Sequence, residues 1–205
     1  MEEARGEGKR LNEIYEINRR FLDLIALQVL GREGGYYGLP AEMCLRIAEL
    51  EPSQRDAAAT VPMLLVTAAR QAAAEVSAVH DREGESSRLA EDVEVTAQRF
   101  TASLLTWLTQ DAQQNHSLSS LWMGGSAASG DSLRKLSFAD IQVLALYADR
   151  ILAACFTDRP QLWNDLIHAA KTGDPQLQAR ARLAALSRSY PPESVIKARG
   201  TRNPR

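Results

Sequence analysis

The sequence is poor in the residues and motifs that build chemical sites. It has two cysteines and three histidines among 205 residues, and neither cysteine has a second ligand at metal-binding spacing. The GxSxG motif of hydrolases, the Walker A motif of nucleotide-binding proteins and the HExxH motif of zinc proteases are all missing. We therefore expect a protein that is not an enzyme and that uses no metal or cofactor.

Long hydrophobic runs are missing as well. No stretch reaches the roughly 18 apolar residues of a membrane span, and the acidic start of the chain lacks the apolar core of a signal peptide. Cys44 and Cys155 each lie in an apolar helical pattern, which is typical of buried, reduced thiols. These features predict a cytoplasmic protein with no membrane partner.

Alanine and leucine at helical spacing are what the chain has in abundance. Hydrophobic residues make up 45% of the sequence, and few alternating Val, Ile and Thr residues suggest strands. An all-α fold is therefore predicted, in a chain long enough to bury a core without a staple. We expect the first ten residues to fray and Pro62 to mark a kink or a new start. Helices are predicted over residues 13–30, 41–50, 63–79, 136–156, 158–172 and 174–188, with another from about 89 that ends within 109–115.

The segment at residues 136–156 has the clearest helix signal. Ser137 and Asp140 have the spacing of a capping box, and an apolar stripe follows them. A similar segment lies 86 residues earlier, at 50–70. The same offset relates residues 14–30 to 100–116, and it matches Gly38 with Gly124, Ala41 with Ala127, Phe21 with Trp107, Ala59 with Ala145 and Ala68 with Ala154. One offset across two helices and the turn between them predicts a tandem duplicated helical unit, or pseudo-dimer.

The predicted domain boundaries follow from this duplication. The charged segment 81–88 is the linker between a first repeat at 11–80 and a second repeat at 89–157. Residues 158–190 add a C-terminal helical arm whose two helices, joined by the turn AAKTGDP, have the spacing of a helix-turn-helix. Many helix pairs that do not bind DNA share this spacing.

The end of the chain is basic, although the net charge is −2. From Arg180 to Arg205 there are seven basic residues against Glu193 alone, which gives +6 there and about −8 for the remainder. Residues 191–205 are predicted to be a flexible basic tail after two prolines. A basic arm on an acidic body is typical of phosphate or acidic-partner contact, and a solvated tail has the same composition.

Two glycine-rich turns carry large side chains. Tyr36 and Tyr37 lie in the first, and Trp122 and Met123 lie in the second. Such residues either face a partner or wedge into a helix junction. All four are candidate partner-binding residues.

Several segments resemble the FlhD family of flagellar transcriptional activator subunits. The run IYEIN at 14–18, with Phe21, Leu22 and Leu24, is similar to the family's first helix, and GLPAEM at 38–43 is similar to its Leu-Gly-x-x-x-Glu-Met segment. In the second copy, LSFADIQVLA at 136–145 resembles the family's Leu-Thr-Leu-x-Gln-Met-x-x-Leu-Ala helix. The resemblance covers most of the chain, as two partial copies. FlhD-type subunits are short chains that form homodimers, so this chain would fuse both halves of such a dimer.

The resemblance implies a subunit of a bacterial transcriptional activator. It would bind promoter DNA of flagellar or conjugative mobile-element genes together with a zinc-holding FlhC-like partner, and RNA polymerase is a further candidate partner. Only the second copy keeps the DNA-proximal arm. Affinity would come from side chains that meet phosphates, and the candidate DNA-binding residues are Lys171, Thr172, Arg180, Arg182, Arg188, Lys197, Arg199 and Arg202.

Two other functions stay open from the residues. One is a helical interaction protein, a scaffold or an anti-activator, that never touches DNA. The other is a redox-sensing helical protein that uses Cys44 and Cys155.

Overall fold

The computed structural model describes residues 2–31, 34–68, 91–114 and 133–187, and these are mostly helical. The helices in chain order are α1 (Glu2–Gly31), α2 (Ala41–Ala48), α3 (Pro52–Ala59), α4 (Glu91–Gln114), α5 (Phe138–Ala145), α6 (Ala148–Ile151), α7 (Pro160–Thr172) and α8 (Pro175–Ser187). Two short strands, β1 (Val66–Ala68) and β2 (Leu152–Ala154), complete the described fold. The predicted helical character is confirmed, while the strands were not predicted.

The long helices α1 and α4 pack antiparallel across the centre of the molecule. Phe21 stacks on Phe100 with ring centroids 6.1 Å apart. Toward the start of α1, the Trp107 indole N–H donates to Glu13 over 3.0 Å, and Arg10 pairs with the buried Asp111 over 2.6 Å. Residues earlier in α1 contact residues later in α4, so the two helices run in opposite directions. Their shared apolar stripe forms the middle of the core.

The buried side chain of Asn18 ties the end of α3 to α1. Its amide nitrogen donates to the carbonyls of Ala59 at 3.2 Å and Met63 at 2.8 Å, and its amide oxygen accepts from the Leu65 N–H at 2.8 Å. The segment between α3 and β1 has no helical hydrogen bonds of its own, so a buried amide satisfies backbone groups that would otherwise lack partners.

The two strands form an antiparallel pair that joins the halves of the chain. Val66 lies opposite Ala154, Thr67 opposite Ala153 and Ala68 opposite Leu152. Two more backbone bonds extend the pair, because Cys155 donates to Leu65 and Ala154 donates to Tyr37, each over 2.8 Å. Residues 152–154 were expected to be helical, and the structure corrects this: their backbone groups pair with a distant strand instead of the preceding turn.

The capping box predicted at Ser137 is confirmed. Its hydroxyl accepts from the Asp140 N–H at 3.1 Å, while the Asp140 carboxylate accepts from the Ser137 N–H at 2.8 Å. The helix that follows is shorter than predicted, because α5 ends at Ala145 and Tyr147 leaves the helical region with φ −112° and ψ 41°. The helix predicted over 63–79 is likewise wrong where it is described, since β1 begins at Val66 after Pro62 has interrupted the helical pattern.

Several elements recur at a constant spacing along the chain. α3 and α5 are both eight residues long and start at Pro52 and Phe138, which are 86 positions apart. β1 and β2 are both three residues long and start at Val66 and Leu152, also 86 positions apart. The residue before α3, Glu51, forms a capping box with Gln54, as Ser137 does with Asp140 at the same distance.

Three further observations bear on the predicted organisation. The linker at 81–88 and the tail at 191–205 lie outside the described residues. α1 begins at Glu2, so the first residues continue the helix where fraying was expected. Within the four described stretches, none of the helices has the length and apolar character that crossing a membrane requires.

Candidate partner and nucleic-acid surfaces

The C-terminal arm consists of α7 and α8, joined by Gly173 and Asp174. Pro160 occupies the first turn of α7, where its missing N–H costs nothing. Gly173 ends the helix in the left-handed conformation with φ 67°, and the Asp174 carboxylate accepts from the Gln176 N–H at 2.7 Å to start α8. The predicted boundaries of both helices are therefore confirmed to within a few residues.

The arm docks on the α2–α3 region of the first half of the chain. The Trp163 indole anchors α7 by donating to the Cys155 carbonyl at 3.0 Å. Small side chains of both partners then meet in a narrow crevice, which is lined by Ala57, Ala58, Thr60, Val61, Leu166, Ala169, Ala170 and Ala181. Polar contacts surround this apolar contact: Arg46 donates to Asn164, Arg182 donates to the Thr60 hydroxyl, and Lys171 pairs with Glu49 over 2.9 Å.

The predicted DNA-binding residues fall into three groups. Lys171 and Arg182 are engaged with the first half of the chain, and the Thr172 hydroxyl donates back to the His168 carbonyl at 3.0 Å. Arg180 lies on the exposed side of α8. Arg188, Lys197, Arg199 and Arg202 lie outside the described residues, so Arg180 is the described member with the freest access to a phosphate.

The predicted partner-binding tyrosines serve the core of the chain. Tyr37 is 8% exposed, lies 5.5 Å from the Phe21 ring, and its hydroxyl accepts from Gln28 at 2.6 Å. Burial raises the pKa of Tyr37 above its ordinary value. Tyr36 is half-buried and donates to the Gln28 carbonyl at 3.2 Å. Of the two interpretations left open, the structure favours the wedge at the helix junction, and a partner contact through Tyr37 would require its removal from the core.

Gly35 allows the tight turn that brings Tyr36 and Tyr37 back to Gln28 of α1. A Cβ on Gly35 would lie 2.5 Å from the Leu39 carbonyl oxygen, which no side chain allows. Tyr37 itself has φ 55°, a left-handed conformation that is unusual for a bulky residue. Trp122 and Met123, the corresponding residues of the second turn, lie outside the described residues.

Exposed large apolar side chains occur in both halves of the described chain. In the first half, Leu30 at the end of α1 is 84% exposed and Leu45 on α2 is 44% exposed. Phe138 at the start of α5 is 75% exposed, and Leu146 just after α5 is 57% exposed. On α8, Leu183 is 65% exposed and Leu186 is 37% exposed. The sequence predicted one continuous helix over 136–156 and placed neither Phe138 nor Leu146 on its apolar stripe. Exposed apolar side chains such as these are candidates for a surface that binds another protein.

A groove of about 730 Å³ lies between α1, α3 and α4. Leu24, Leu27, Leu50 and Phe100 line its apolar wall, and charged residues line its rim. The rim charges are paired, since Arg55 binds Asp23 at 2.7 Å and Arg20 binds Glu16 at 2.7 Å. The hydrogen bond from Arg19, together with that from Arg20, lowers the pKa of Glu16 from 4.5 to about 2.

The cysteines show neither the pairing nor the activation that redox chemistry needs. Both are free, Cys44 is fully buried, and burial raises the pKa of each thiol, that of Cys155 to about 12. A raised pKa leaves almost none of the reactive thiolate at neutral pH. No group of three or more His, Cys, Asp and Glu side chains in the described stretches is arranged to hold a metal ion.

Asn18 and Asp111 are two buried polar residues that sequence reasoning missed. Burial raises the pKa of Asp111, and Arg10 opposes this shift. Each residue stands at a core position of its helix, as Asn18 does four residues after Ile14, so a polar residue inside an apolar stripe was the available signal.

Comparison of the chain with known proteins found no matching family model, curated protein or solved structure.

Proposed function

We propose that the chain is an FlhD-like regulatory subunit in which one polypeptide supplies both halves of a pseudo-dimer. It would bind promoter DNA in complex with an FlhC-like protein. The observation that carries the proposal is the pairing of β1 with β2. If each half were a copy of the other at an offset of 86, a twofold axis would have to exchange Val66 with Leu152 and Ala68 with Ala154.

The strand register meets this requirement. Thr67 lies opposite Ala153, which is its counterpart at the offset, and the pairs on either side exchange when the copies are exchanged. A chance contact between unrelated segments has no reason to centre on this position. The matched lengths of α3 and α5 and their matched capping boxes support the same relation.

The pairing of α1 with α4 also fits an exchange of copies. Phe21 stacks on Phe100. At the offset of 86 the counterpart of Phe21 is Trp107 and that of Phe100 is Ile14, so exchanging the copies turns this pair into Trp107 with Ile14. Trp107 bonds to Glu13, the neighbour of Ile14. Homodimer-like contacts made within one chain are what a fused FlhD-type subunit would need, and the IYEIN segment lies in α1, one of these contacting elements.

The arm and the basic tail support the DNA-binding part of the proposal. α7 and α8 form a helix pair with a two-residue connection, and Arg180 is exposed on α8. Because Lys171 and Arg182 bind the first half of the chain, the chain alone would contribute few phosphate contacts. Most of the affinity would come from the partner and the tail.

A gel-shift titration with promoter DNA and an FlhC-like partner, at about 50 mM and about 200 mM salt, tests the proposal. Arg180→Ala should weaken binding by the complex several-fold and reduce the salt dependence by about one phosphate contact. Arg182→Ala is the matched control, because the Thr60 hydroxyl already engages its side chain. Equal affinity and equal salt dependence for the wild type and Arg180→Ala would refute the arm as a DNA contact.

One observation favours the second candidate, a helical interaction protein without DNA binding. The described cations of the arm other than Arg180 serve internal contacts, and the exposed apolar residues Phe138, Leu146 and Leu183 are suited to a protein partner. The same titration separates the two functions. A complex that forms with the partner but shows no salt-dependent shift of DNA would establish the interaction protein.

A further inference from the structure

The arm covers one surface of the first half, and the described elements leave the corresponding surface of the second half exposed at Phe138 and Leu146. On the first half, α7 and α8 lie against Ala57, Thr60 and Val61 at the end of α3. The counterparts of these three residues at the offset of 86 are Val143, Leu146 and Tyr147. In the described part of the chain, α5 contacts mainly α4 and α6. We name this area the α5 surface, and it consists of Phe138, Val143, Leu146 and Tyr147 with Lys135 at its edge.

We propose that the α5 surface binds a pair of helices of a second protein: the first has an apolar stripe and an acidic side chain in its last turn, and the second presents an apolar side chain to Leu146. The inference rests on the pseudo-twofold relation of the proposed function. It adds where a partner docks and which chemistry the docking helices carry.

The apolar group required of the partner follows from the difference between Thr60 and its counterpart at the offset of 86, Leu146. Thr60 accepts a hydrogen bond from Arg182 of the docked arm. Leu146 stands at the equivalent place, is 57% exposed and offers no acceptor. A helix that docks there must therefore present an apolar group where α8 presents a guanidinium. Phe138 at the start of α5, 75% exposed, adds a second exposed apolar side chain to this helix.

The acidic side chain required of the partner follows from the difference between Glu49 and its counterpart at the offset of 86, Lys135. Glu49 holds the end of α7 through its 2.9 Å pair with Lys171. Its counterpart Lys135 is an exposed cation. The charge at the edge of the surface is thus reversed, so the complementary helix carries a carboxylate where α7 carries Lys171.

The same two differences exclude the arm of a second copy of this chain. Its Lys171 would face Lys135, and its Arg182 would be pressed against Leu146 without an acceptor. The chain's own residues before α4 do not fit by sequence either. The counterparts of the apolar residues Leu162, Leu166, Ala169 and Ala170 are Val76, His80, Glu83 and Gly84. At this register the segment does not reproduce the apolar stripe of the arm, which favours a different protein as the occupant.

The test uses a labelled synthetic peptide with the sequence of residues 160–187 and two changes, Lys171→Glu and Arg182→Leu. The reference peptide has the unchanged sequence. Fluorescence anisotropy with the full chain should give at least about tenfold tighter binding of the changed peptide, since one ion pair and one apolar contact replace two mismatches. Lys135→Glu in the full chain should remove this preference for the changed peptide or reverse it.

Two surface variants locate the binding site. Leu146→Glu should weaken binding of the changed peptide at least about tenfold, whereas Leu30→Glu, at an exposed leucine at the end of α1, should leave binding unchanged. Both replaced side chains lie in water, so the variants should fold, and circular dichroism verifies this. Binding that ignores Leu146 and Lys135, or no binding of either peptide, overturns the inference. Self-association in sedimentation experiments that Leu146→Glu abolishes also overturns it, in favour of a second copy.

Failure of this inference can be told apart from failure of the proposed function. Salt-dependent DNA binding by the partner complex that is unaffected by Leu146→Glu leaves the proposed function intact and removes the α5 surface from it. Peptide binding that depends on Leu146 and Lys135, in a complex without affinity for DNA, keeps the docking surface and refutes the DNA-binding role.

Discussion

The amide of Asn18 joins α1 to the chain between α3 and β1 through four hydrogen bonds. The residue is fully buried, and its counterpart at the offset of 86 is Leu104, which is buried in an apolar environment. The first half thus uses a polar side chain where the second half uses packing. A difference of this kind is expected once two halves of one chain are free to diverge.

Asn18→Leu, which installs the residue of the second half, is expected to lower the free energy of unfolding by about 3 kcal/mol or more. The leucine leaves the Leu65 N–H buried without its acceptor, which costs about 1–3 kcal/mol, and it removes the hydrogen bonds that the amide donates to the Ala59 and Met63 carbonyls, each worth about 1 kcal/mol. Urea unfolding followed by circular dichroism measures the change. Asn12→Leu, at an exposed position of the same helix, should alter stability by less than about 0.5 kcal/mol. Equal stability of both variants would show that the Asn18 network contributes little.

The lowered pKa of Glu16 predicts how acid affects stability. Because this pKa falls from 4.5 to about 2 on folding, its contribution is fully present above pH 4.5 and is lost as the pH falls toward 2. Glu16→Gln should remove that part of the decline in acid, and Arg19→Gln should raise the pKa of Glu16 in an NMR titration. The side chain is half-exposed, so the effect should be small and should weaken with salt. An unaltered acid profile in Glu16→Gln would contradict the assignment.

At the scale of elements, helix ends could be read from the sequence and helix interruptions could not. Ser137, Pro160, Gly173 and Asp174 act through bonds within a few residues, so their local spacing was sufficient. The break between α5 and β2 has another origin. Residues 152–154 leave the helix for a strand partner 86 positions away, and no local periodicity reports such a partner.

The connection between α7 and α8 depends on Gly173. Gly173→Ala should cost about 1 kcal/mol of stability, because an alanine at φ 67° is strained although its methyl group would meet no neighbouring atom. Gly31→Ala is the control: that glycine also has space around it, has no positive φ and ends α1, so alanine there should be neutral or stabilising. Thermal unfolding of the two variants compares them. A Gly173→Ala protein as stable as Gly31→Ala would show that the turn tolerates another conformation.

At the scale of the whole molecule, the candidate site was the hardest part to predict. Basic residues on α7 and α8 were recognisable as a set, but the internal use of Lys171 and Arg182 depends on Glu49 and Thr60, about 120 positions away. The α5 surface was hidden for a related reason. Its definition needs the end of α5 at Ala145 and the contact of the arm with α3, and neither can be read from local sequence.

Residues 1–114 should be unable to fold alone. A chain that ends after Gln114 lacks both the strand that pairs with β1 and the arm that covers α3. We expect broad, noncooperative melting of this fragment by circular dichroism, and recovery of a cooperative transition when a fragment of residues 115–205 is added. The full chain is the control. Cooperative unfolding of the first fragment by itself would indicate two independent domains.

The β1–β2 pair also has a consequence for synthesis on the ribosome. Val66 is synthesised long before Ala154, so β1 stays unpaired while more than eighty further residues are added. At about 5–20 residues per second, this wait lasts several seconds, during which an unpaired strand of a nascent chain is open to wrong neighbours. Because both strands belong to one chain, their pairing needs no encounter with a second molecule, but the chain is most open to wrong pairing while it is still being synthesised.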